Sequence, residues 1–245
     1  MTKNEANMLK KFSEIIKIKV KSFELLKTAL THKSYVNEHK KERTHIEHNE
    51  RLEFLGDAVL ELLVSRFLYE NYPNRAEGEL TSFRAATVRT ESLFREASKL
   101  NIGDYIYMSK GEEQTGGRKR PYILANTFEA IIGCIYLDQN LNIVNKFLEK
   151  ELFYKIPKIV KKRLYIDNKS KLQEISQEIL RETPIYQVVD SKGPDHKKVF
   201  TSKVVIKNKD FGTGKGPNKQ EAEQNAALKA LDGWKKLIAE YFGID

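Results

Sequence analysis

The stretch NERLEFLGDAVLELL, residues 49–63, constrains the fold of this chain more than any other. Read as a helix at about 100° per residue, it places three carboxylates within roughly a 60° arc. The opposite side carries the apolar side chains Leu52, Leu55, Val59, Leu62 and Leu63. The pattern predicts an amphipathic helix that packs its apolar face into a core and presents a row of acids on the other face.

The three carboxylates of this helix are Glu50, Glu53 and Asp57. Like charges at this spacing repel one another by a few tenths of a kcal/mol per pair, so a positive partner is expected. A divalent cation suits the face, because hard cations prefer carboxylate oxygens. The alternative is a solvated acidic face that pairs with surface lysines.

A second stretch, ILANTFEAIIGCIYLD (residues 123–138), also has helical periodicity. Leu124, Phe128, Ile131 and Ile135 share one face, and Asn126 and Glu129 lie opposite at i, i+3. If the two helices pack with their polar pairs facing each other, four side-chain oxygens surround one point. Neither helix contains Glu-x-x-His, and no Cys/His spacing supports zinc. An all-oxygen site indicates Mg²⁺, with Mn²⁺ as a substitute.

At these residues the chain resembles ribonuclease III, the double-stranded-RNA endonuclease of bacteria. The resemblance rests on NERLEFLGD, ALTHKSY (residues 29–35), EGELTSFRAATVRTESL (77–93) and ANTFEAIIGCIYLD. It implies an all-α nuclease domain over residues 1–154. It also implies a homodimer that leaves 5′-phosphates and short 3′ overhangs, in the processing of ribosomal precursors and messenger RNA.

The resemblance implies a role for each acidic position. The metal site corresponds to Glu53, Asp57, Asn126 and Glu129, with Asp57 and Glu129 closest to the chemistry. Glu50 and Glu77 correspond to auxiliary acidic positions near the catalytic valley. Asn126 departs from the family pattern, which has Asp there.

Composition excludes several other classes of protein. No apolar run approaches the roughly 20 residues that span a bilayer, and charges interrupt the N-terminus too often for a signal peptide. The single cysteine, Cys134, cannot form an internal disulfide. We therefore expect a cytoplasmic protein with no membrane partner and no organic cofactor.

Charge divides the chain unevenly. Residues 1–154 hold 24 Lys and Arg against 22 Asp and Glu, whereas residues 155–236 hold 19 against 10. The basic, Pro157-containing stretch 155–166 is interpreted as a linker, residues 167–236 as a second domain and 237–245 as a tail. The positive excess in the last third predicts that this part holds a polyanion.

The second domain has the pattern of a helix, three strands and a helix. Residues 169–180 and 220–234 have helical periodicity, and the strands between them alternate around a turn at Gly193–His196. The order α-β-β-β-α, with GTGKGPNKQEAEQNAA between the last strand and the last helix, resembles the double-stranded-RNA-binding domain. The expected fold is thus an all-α nuclease domain followed by an α+β domain.

The Gly/Lys stretch before the last helix predicts a phosphate site, because helix N-terminal amides face anions. The candidate RNA-binding residues are Gln173, Glu174, His196, Lys215, Asn218 and Lys219. Contacts to successive minor grooves would depend on duplex shape more than on sequence. Gln220 stands where the family often has a second lysine, so we expect somewhat weaker binding.

These features predict metal-dependent hydrolysis of double-stranded RNA. Two alternatives remain at this stage. One is an RNA-binding protein whose nuclease domain is silent because Asn126 removes a negative charge. The other is a dimerisation module with an RNA tether, which metal binding would distinguish.

Overall fold

The computed structural model describes residues 1–40, 47–194 and 198–243, and the chain divides into two compact units. The first unit comprises residues 1–165, and the second begins at Ile166. Among the described residues, the first unit is helical apart from one bridge between Thr31 and Tyr107, and the second is α+β. The predicted fold class is confirmed. No helix among the described residues has the length and apolarity needed to cross a membrane.

The first unit is built from helices of very different lengths. They are α1 (Lys3–Ile16), α2 (Phe23–Ala29), α3 (Lys33–Glu38), α4 (Glu50–Asn71), α5 (Glu77–Val88), α6 (Thr90–Lys99), α7 (Lys110–Gln114), α8 (Pro121–Asp138), α9 (Leu141–Glu151) and α10 (Ile156–Lys161). Short 3-10 turns lie at Ile102–Tyr105, Gly117–Lys119 and Phe153–Lys155. The stretch predicted to be an acidic helix forms most of α4.

Helix α8 lies at the centre of the first unit. Helices α2, α4, α6 and α9 all pack against it, and its residues 130–135 are buried without interruption. The predicted two-faced helix is therefore apolar on almost every side, as expected for a helix surrounded by others. Asn126 and Glu129 interrupt this surface, and both are partly exposed.

Helices α4 and α8 touch through their backbones. A Cβ added to Gly56 of α4 would lie 1.8 Å from the carbonyl oxygen of Glu129, and one added to Gly133 of α8 would lie 2.3 Å from that of Leu52. Real Cβ atoms essentially never come that close, so both positions require glycine. The two glycines set the distance between the helices.

The segment predicted to be a linker packs into the first unit instead. Ile156 and Ile159 are buried, and the Tyr165 ring meets the Phe83 ring edge-on at 4.5 Å. Lys155 donates hydrogen bonds at 3.0 Å both to the buried Glu96 carboxylate and to the Ser92 carbonyl. Isoleucines at i and i+3 are buried together, which explains why this basic stretch folds as a helix.

The new boundary changes how charge is divided between the units. Residues 1–165 hold 29 Lys and Arg against 22 Asp and Glu, a net charge of +7. Residues 166–245 hold 14 against 12, a net charge of +2. The expectation that the positive excess belongs to the RNA-binding part is wrong, because residues 155–165 contribute five cations and no acid to the first unit.

The second unit packs two helices on a three-stranded sheet. Its elements are α11 (Asn168–Leu180), β1 (Ile185–Lys192), β2 (Val199–Ile206), β3 (Lys209–Gly216) and α12 (Lys219–Phe242). The sheet is antiparallel in the order β1-β2-β3. Helix α12 lies along β3 and β2 and also contacts α11.

Strand β3 includes the first part of the Gly/Lys stretch, GTGKG. Cβ atoms at Gly212, Gly214 and Gly216 would lie 2.1–2.7 Å from backbone atoms of α12. Alternate glycines of a strand share one face, so they form a smooth strip against the buried alanines of that helix. The glycines serve close packing, and only Pro217 and Asn218 connect strand to helix.

Helix α12 continues beyond the predicted domain end at residue 236. Ile238 is buried, the Tyr241 hydroxyl donates to the Asp210 carbonyl at 3.2 Å, and the Phe242 ring stacks on Phe211 at 6.3 Å. The described part of the predicted tail therefore extends the core of the second unit.

The Gly56–Gly133 crossing predicts a sharp difference between two glycine-to-alanine substitutions. Gly56→Ala should lower the free energy of unfolding by about 3 kcal/mol, because the new methyl group meets fixed backbone. Gly78→Ala is the control, since a Cβ at Gly78 of α5 meets nothing within 4 Å. That variant should be neutral or slightly stabilised. Thermal and urea unfolding measure both, and equal stabilities would contradict the crossing.

Candidate active site and RNA-binding surface

Four oxygen-bearing side chains lie on either side of the glycine crossing. Glu53 and Asp57 flank Gly56 on α4, while Asn126 and Glu129 lie one to two turns before Gly133 on α8. We call Glu53, Asp57, Asn126 and Glu129 together the acidic cluster. The structure therefore brings together the four side chains from which the sequence predicts a metal site. Their proximity appears in their mutual effects on pKa.

Within the acidic cluster, Glu129 has the most strongly raised pKa. Burial raises its pKa to about 8, and the negative charges of Asp57 and Glu53 add to the rise. Burial disfavours the charged form of a carboxyl, and neighbouring acids act in the same direction. Without a cation nearby, Glu129 is therefore mostly protonated at neutral pH.

Glu53 lies in a similar but milder environment. Burial is the largest cause of its raised pKa, and the charges of Glu50 and Asp57 also contribute. A hydrogen bond with the Asn126 side chain opposes this rise. An amide at position 126 thus stabilises the Glu53 carboxylate, where an aspartate would repel it.

A cleft opens beside the cluster and adds groups that the sequence does not mark. Its walls include Glu50, Glu53 and Asn126 together with Lys33, Glu112 and Tyr122. Lys33 donates a hydrogen bond to Glu50 at 3.0 Å and lowers the pKa of that carboxyl. Glu50 therefore already has a counter-ion, which suits an auxiliary position better than a ligand position.

Lys33 lies in the ALTHKSY stretch, and nothing in its local sequence marks it as a partner of Glu50. Its position in the loop-flanked helix α3 gives no periodic signal that would connect it to α4. The connection depends on the tertiary fold: His32 accepts from the Ser34 amide and caps α3, and the His32 amide bonds the Tyr107 carbonyl at 2.9 Å. Only the structure reveals that Lys33 faces Glu50.

Glu77 belongs to a different helix, α5. It is the exposed first residue of α5 and accepts a hydrogen bond from the Thr81 hydroxyl at 3.0 Å. It is not among the residues that line the cleft. Its position at a helix N-terminus also favours a negative side chain for its own sake.

The donor set of the acidic cluster fits a hard divalent cation. Three carboxylates and one amide carbonyl are oxygen ligands of the kind that Mg²⁺ and Mn²⁺ prefer. The raised pKa of Glu129 reflects crowded negative charge that a cation would relieve. In the part of the chain that the structure describes, no three Asp, Glu, His or Cys side chains converge closely enough to form a finished site.

The RNA-binding candidates lie in the second unit, with one exception. Gln173 and Glu174 are exposed on α11, Lys215 is exposed on β3, and Lys219 is the first residue of α12. The exception is the predicted contact His196, which lies outside the described residues together with Asp195 of the same turn.

Asn218 has a structural task that sequence patterns do not separate from RNA binding. Its side-chain oxygen accepts from the Glu221 amide at 2.8 Å, and its amide group donates to the Glu221 carboxylate at 3.2 Å. This is an N-cap, which typically stabilises a helix by about 1 kcal/mol. Because the Glu221 amide already donates to Asn218, it is not free to bind a phosphate. A phosphate at this helix start would therefore depend mainly on the charges of Lys215 and Lys219.

Comparison with known proteins covers both units. The Ribonuclease-III-like family model matches residues 22–156, and the double-stranded RNA binding motif matches residues 168–233. A Ribonuclease 3 from Bacillus licheniformis is 48% identical over 94% of this chain and 92% of its own length. A Ribonuclease 3 from a Roseiflexus species is 47% identical over 85% of this chain and 88% of its own length.

A solved structure extends the comparison to the fold. The nuclease domain of ribonuclease III from Campylobacter jejuni, described for structural flexibility in a region involved in dimer formation, has a TM-score of 0.55 and 39% identity. The match covers 60% of this chain and 97% of that domain. The similarity therefore lies in the helical unit that carries the acidic cluster.

The raised pKa of Glu129 predicts a pH-dependent stability in the presence of a chelator. Between pH 4.5, the ordinary pKa of a glutamate, and about pH 8, the unfolded chain has released a proton that the folded chain keeps. Stability should fall as pH rises through this window, by up to about 1.4 kcal/mol per pH unit. Glu129→Gln should remove this loss, so the variant gains on the wild type as pH rises.

Urea unfolding at pH 5, 6.5 and 8 measures the effect. The control is Glu61→Gln, which changes an exposed carboxyl of helix α4. A constant difference between Glu129→Gln and wild type across these pH values would contradict the assignment.

Proposed function

Since the chain belongs to the ribonuclease III family and is an endoribonuclease that cleaves double-stranded RNA, we propose that its hydrolysis depends on Mg²⁺ held at the acidic cluster. Mn²⁺ is expected to substitute. The observation that carries the proposal is the burial of Glu129 beside Asp57 and Glu53, which raises its pKa to about 8. So costly a concentration of acids is explained by a bound cation.

Each side chain of the cluster has a separate task in this proposal. Asp57 and Glu129, on different helices, would hold the cation and would act closest to the chemistry. Glu53 supplies a further carboxylate oxygen. A bound Mg²⁺ would lower the pKa of a water and neutralise charge that builds on the phosphate. The rigid crossing at Gly56 keeps these oxygens in register.

In this proposal, Asn126 lowers the affinity of the site for a cation but still allows a cation to bind. Its amide group can bond the Glu53 carboxylate while its carbonyl oxygen remains available to a cation. Compared with an aspartate at this position, Asn126 leaves the site with one negative charge fewer. At an effective dielectric of 20, the attraction between two opposite unit charges about 4 Å apart is roughly 4 kcal/mol before the cost of desolvation. We therefore expect an active enzyme that needs more cation than an Asp-containing relative.

The silent-nuclease alternative is less well supported. Glu53, Asp57 and Glu129 are all present, and two of them show the electrostatic strain of a charge-binding site. The products would carry 5′-phosphates and short 3′ overhangs, and the substrates would include ribosomal precursors and messenger RNA. The second unit would hold the duplex through Gln173, Glu174, His196, Lys215 and Lys219, while Asn218 caps the helix start.

We further propose that the protein acts as a homodimer through α4. Phe54 is 81% exposed, Tyr69 75% and Leu62 56%, and helical geometry places them within roughly an 80° sector. An exposed helix face that carries three large apolar side chains is suited to be an interaction surface. The face lies on the same helix as Glu53 and Asp57, so pairing would place two acidic clusters along one surface.

A cation titration tests the proposed site. Cleavage of a long perfect RNA duplex is followed across Mg²⁺ and Mn²⁺ concentrations for wild type, Asn126→Asp and Glu129→Gln. Asn126→Asp should lower the midpoint about tenfold, because it restores a charged ligand. Glu129→Gln should reduce cleavage by at least about 100-fold, because transition-state charge stabilisation is removed, while duplex binding stays nearly unchanged.

The outcomes separate the two candidate functions. No cutting by wild type at any cation level, with activity restored by Asn126→Asp, would establish the silent-nuclease alternative. Normal cleavage by Glu129→Gln would show that the acidic cluster is not the active site.

The dimer is tested by changing its central aromatic residue. Phe54→Asp should convert a dimer into a monomer in light scattering after size exclusion, because a charge would be buried at the interface. The monomer should keep its fold, since Phe54 contributes little to the core at 81% exposure. Ile179→Asp, on an exposed position of α11, is the matched control. A monomeric wild type, or a dimeric Phe54→Asp, would contradict the proposal.

A further inference from the structure

A cluster of exposed cations lies at the C-terminal end of the nuclease unit. We call Lys158, Lys161, Lys162 and Arg163 the α10 basic cluster. All four residues are exposed, and among the described residues none of their side chains forms a hydrogen bond or an ion pair. The cluster concentrates four positive charges within six residues, with no acid between Lys155 and Ile166.

The neighbouring Lys155 shows what a cation with only a structural task looks like in this segment. It is largely buried, contacts Glu96 and Ser92, and is thereby neutralised inside the unit. The α10 basic cluster is solvent-exposed and has no such partner within the described chain. Lys158 is three positions from Lys161 and four from Lys162, a spacing at which like charges on a helix repel by a few tenths of a kcal/mol per pair. The cluster is therefore suited to an external polyanion.

The backbone that carries the cluster is anchored in the core of the first unit. Ile156 and Ile159 anchor its helix in the core, and the Leu164 amide bonds the Ile159 carbonyl at 3.0 Å, which closes the chain after Arg163. Tyr165 then packs on Phe83 of α5. A surface fixed in this way binds phosphates without the entropy cost of ordering a linker.

We propose that the α10 basic cluster binds the phosphate backbone of the same RNA duplex that the acidic cluster cleaves. The inference rests on the proposed function and deepens it, because it gives the nuclease unit a phosphate-binding surface of its own. Helix α10 packs on α5, and α5 packs on α4, which carries Glu53 and Asp57. The four cations of the cluster amount to more than half of the +7 net charge of the first unit.

The test compares two full-length variants of equal net charge. The first replaces all four residues of the α10 basic cluster by Gln. The second makes the same replacement at Lys3, Lys10, Lys11 and Lys19, which are also exposed. Affinity for a perfect RNA duplex is measured by fluorescence anisotropy in EDTA over a range of KCl concentrations, so binding is read without cleavage.

The cluster variant should bind at least about tenfold more weakly at low salt. Its plot of log affinity against log salt should be shallower by about 0.9 for each phosphate that the protein no longer neutralises. The control variant should change affinity by less than about threefold. Equal behaviour of the two variants would overturn the proposal, as would weaker binding to anionic phosphatidylglycerol vesicles with unchanged RNA binding.

A separate readout keeps this result independent of the catalytic proposal. In steady-state cleavage with Mg²⁺, the cluster variant should show a KM for the duplex at least about tenfold above that of wild type, because the lost phosphate contacts weaken substrate binding. If the wild type fails to cleave under any condition, the catalytic proposal fails and the binding comparison in EDTA still decides the role of the α10 basic cluster.

Discussion

The contact between Gly56 and Gly133 is the constraint on which the rest of the nuclease unit depends. Two helices whose backbones touch have no room to slide or rotate, since any side chain at either position would push them apart. The acids on either side of this crossing are consequently forced to share one region. The electrostatic strain of that region is a result of close packing, and stability and catalysis draw on the same crossing.

Much of the fold follows from periodicity in the sequence. The acidic helix, the order of helix, three strands and helix, and the meeting of Glu53 and Asp57 with Asn126 and Glu129 can all be anticipated in this way. Periodicity fails where a segment is buried on every side, as α8 is, because no polar face remains to mark its orientation. It also fails where glycines serve packing, because the glycine-rich sequence of β3 is also typical of a flexible loop.

The remaining discrepancies come from long-range contacts. Lys33 meets Glu50 across 17 positions of sequence, and Lys155 meets Glu96 across 59. Neither pairing leaves a local pattern, because each partner belongs to a different element. The composition of the basic stretch after residue 154 suits a linker. Two buried isoleucines and one aromatic pair decide otherwise, and they transfer most of the net positive charge to the nuclease unit.

The Glu96–Lys155 pair also determines where this protein can be divided and recombined. An exchange of RNA-binding modules between relatives that joined the chains after residue 154 would separate the buried Glu96 carboxylate from Lys155, the more buried of the two lysines that bond it. Removing one partner of a buried ion pair is strongly destabilising. A junction between Tyr165 and Ile166 respects both cores. An interior ion pair thus limits where modules can be exchanged in this architecture. The domain border predicted from composition, after residue 154, lies about three helical turns before the structural border after Tyr165.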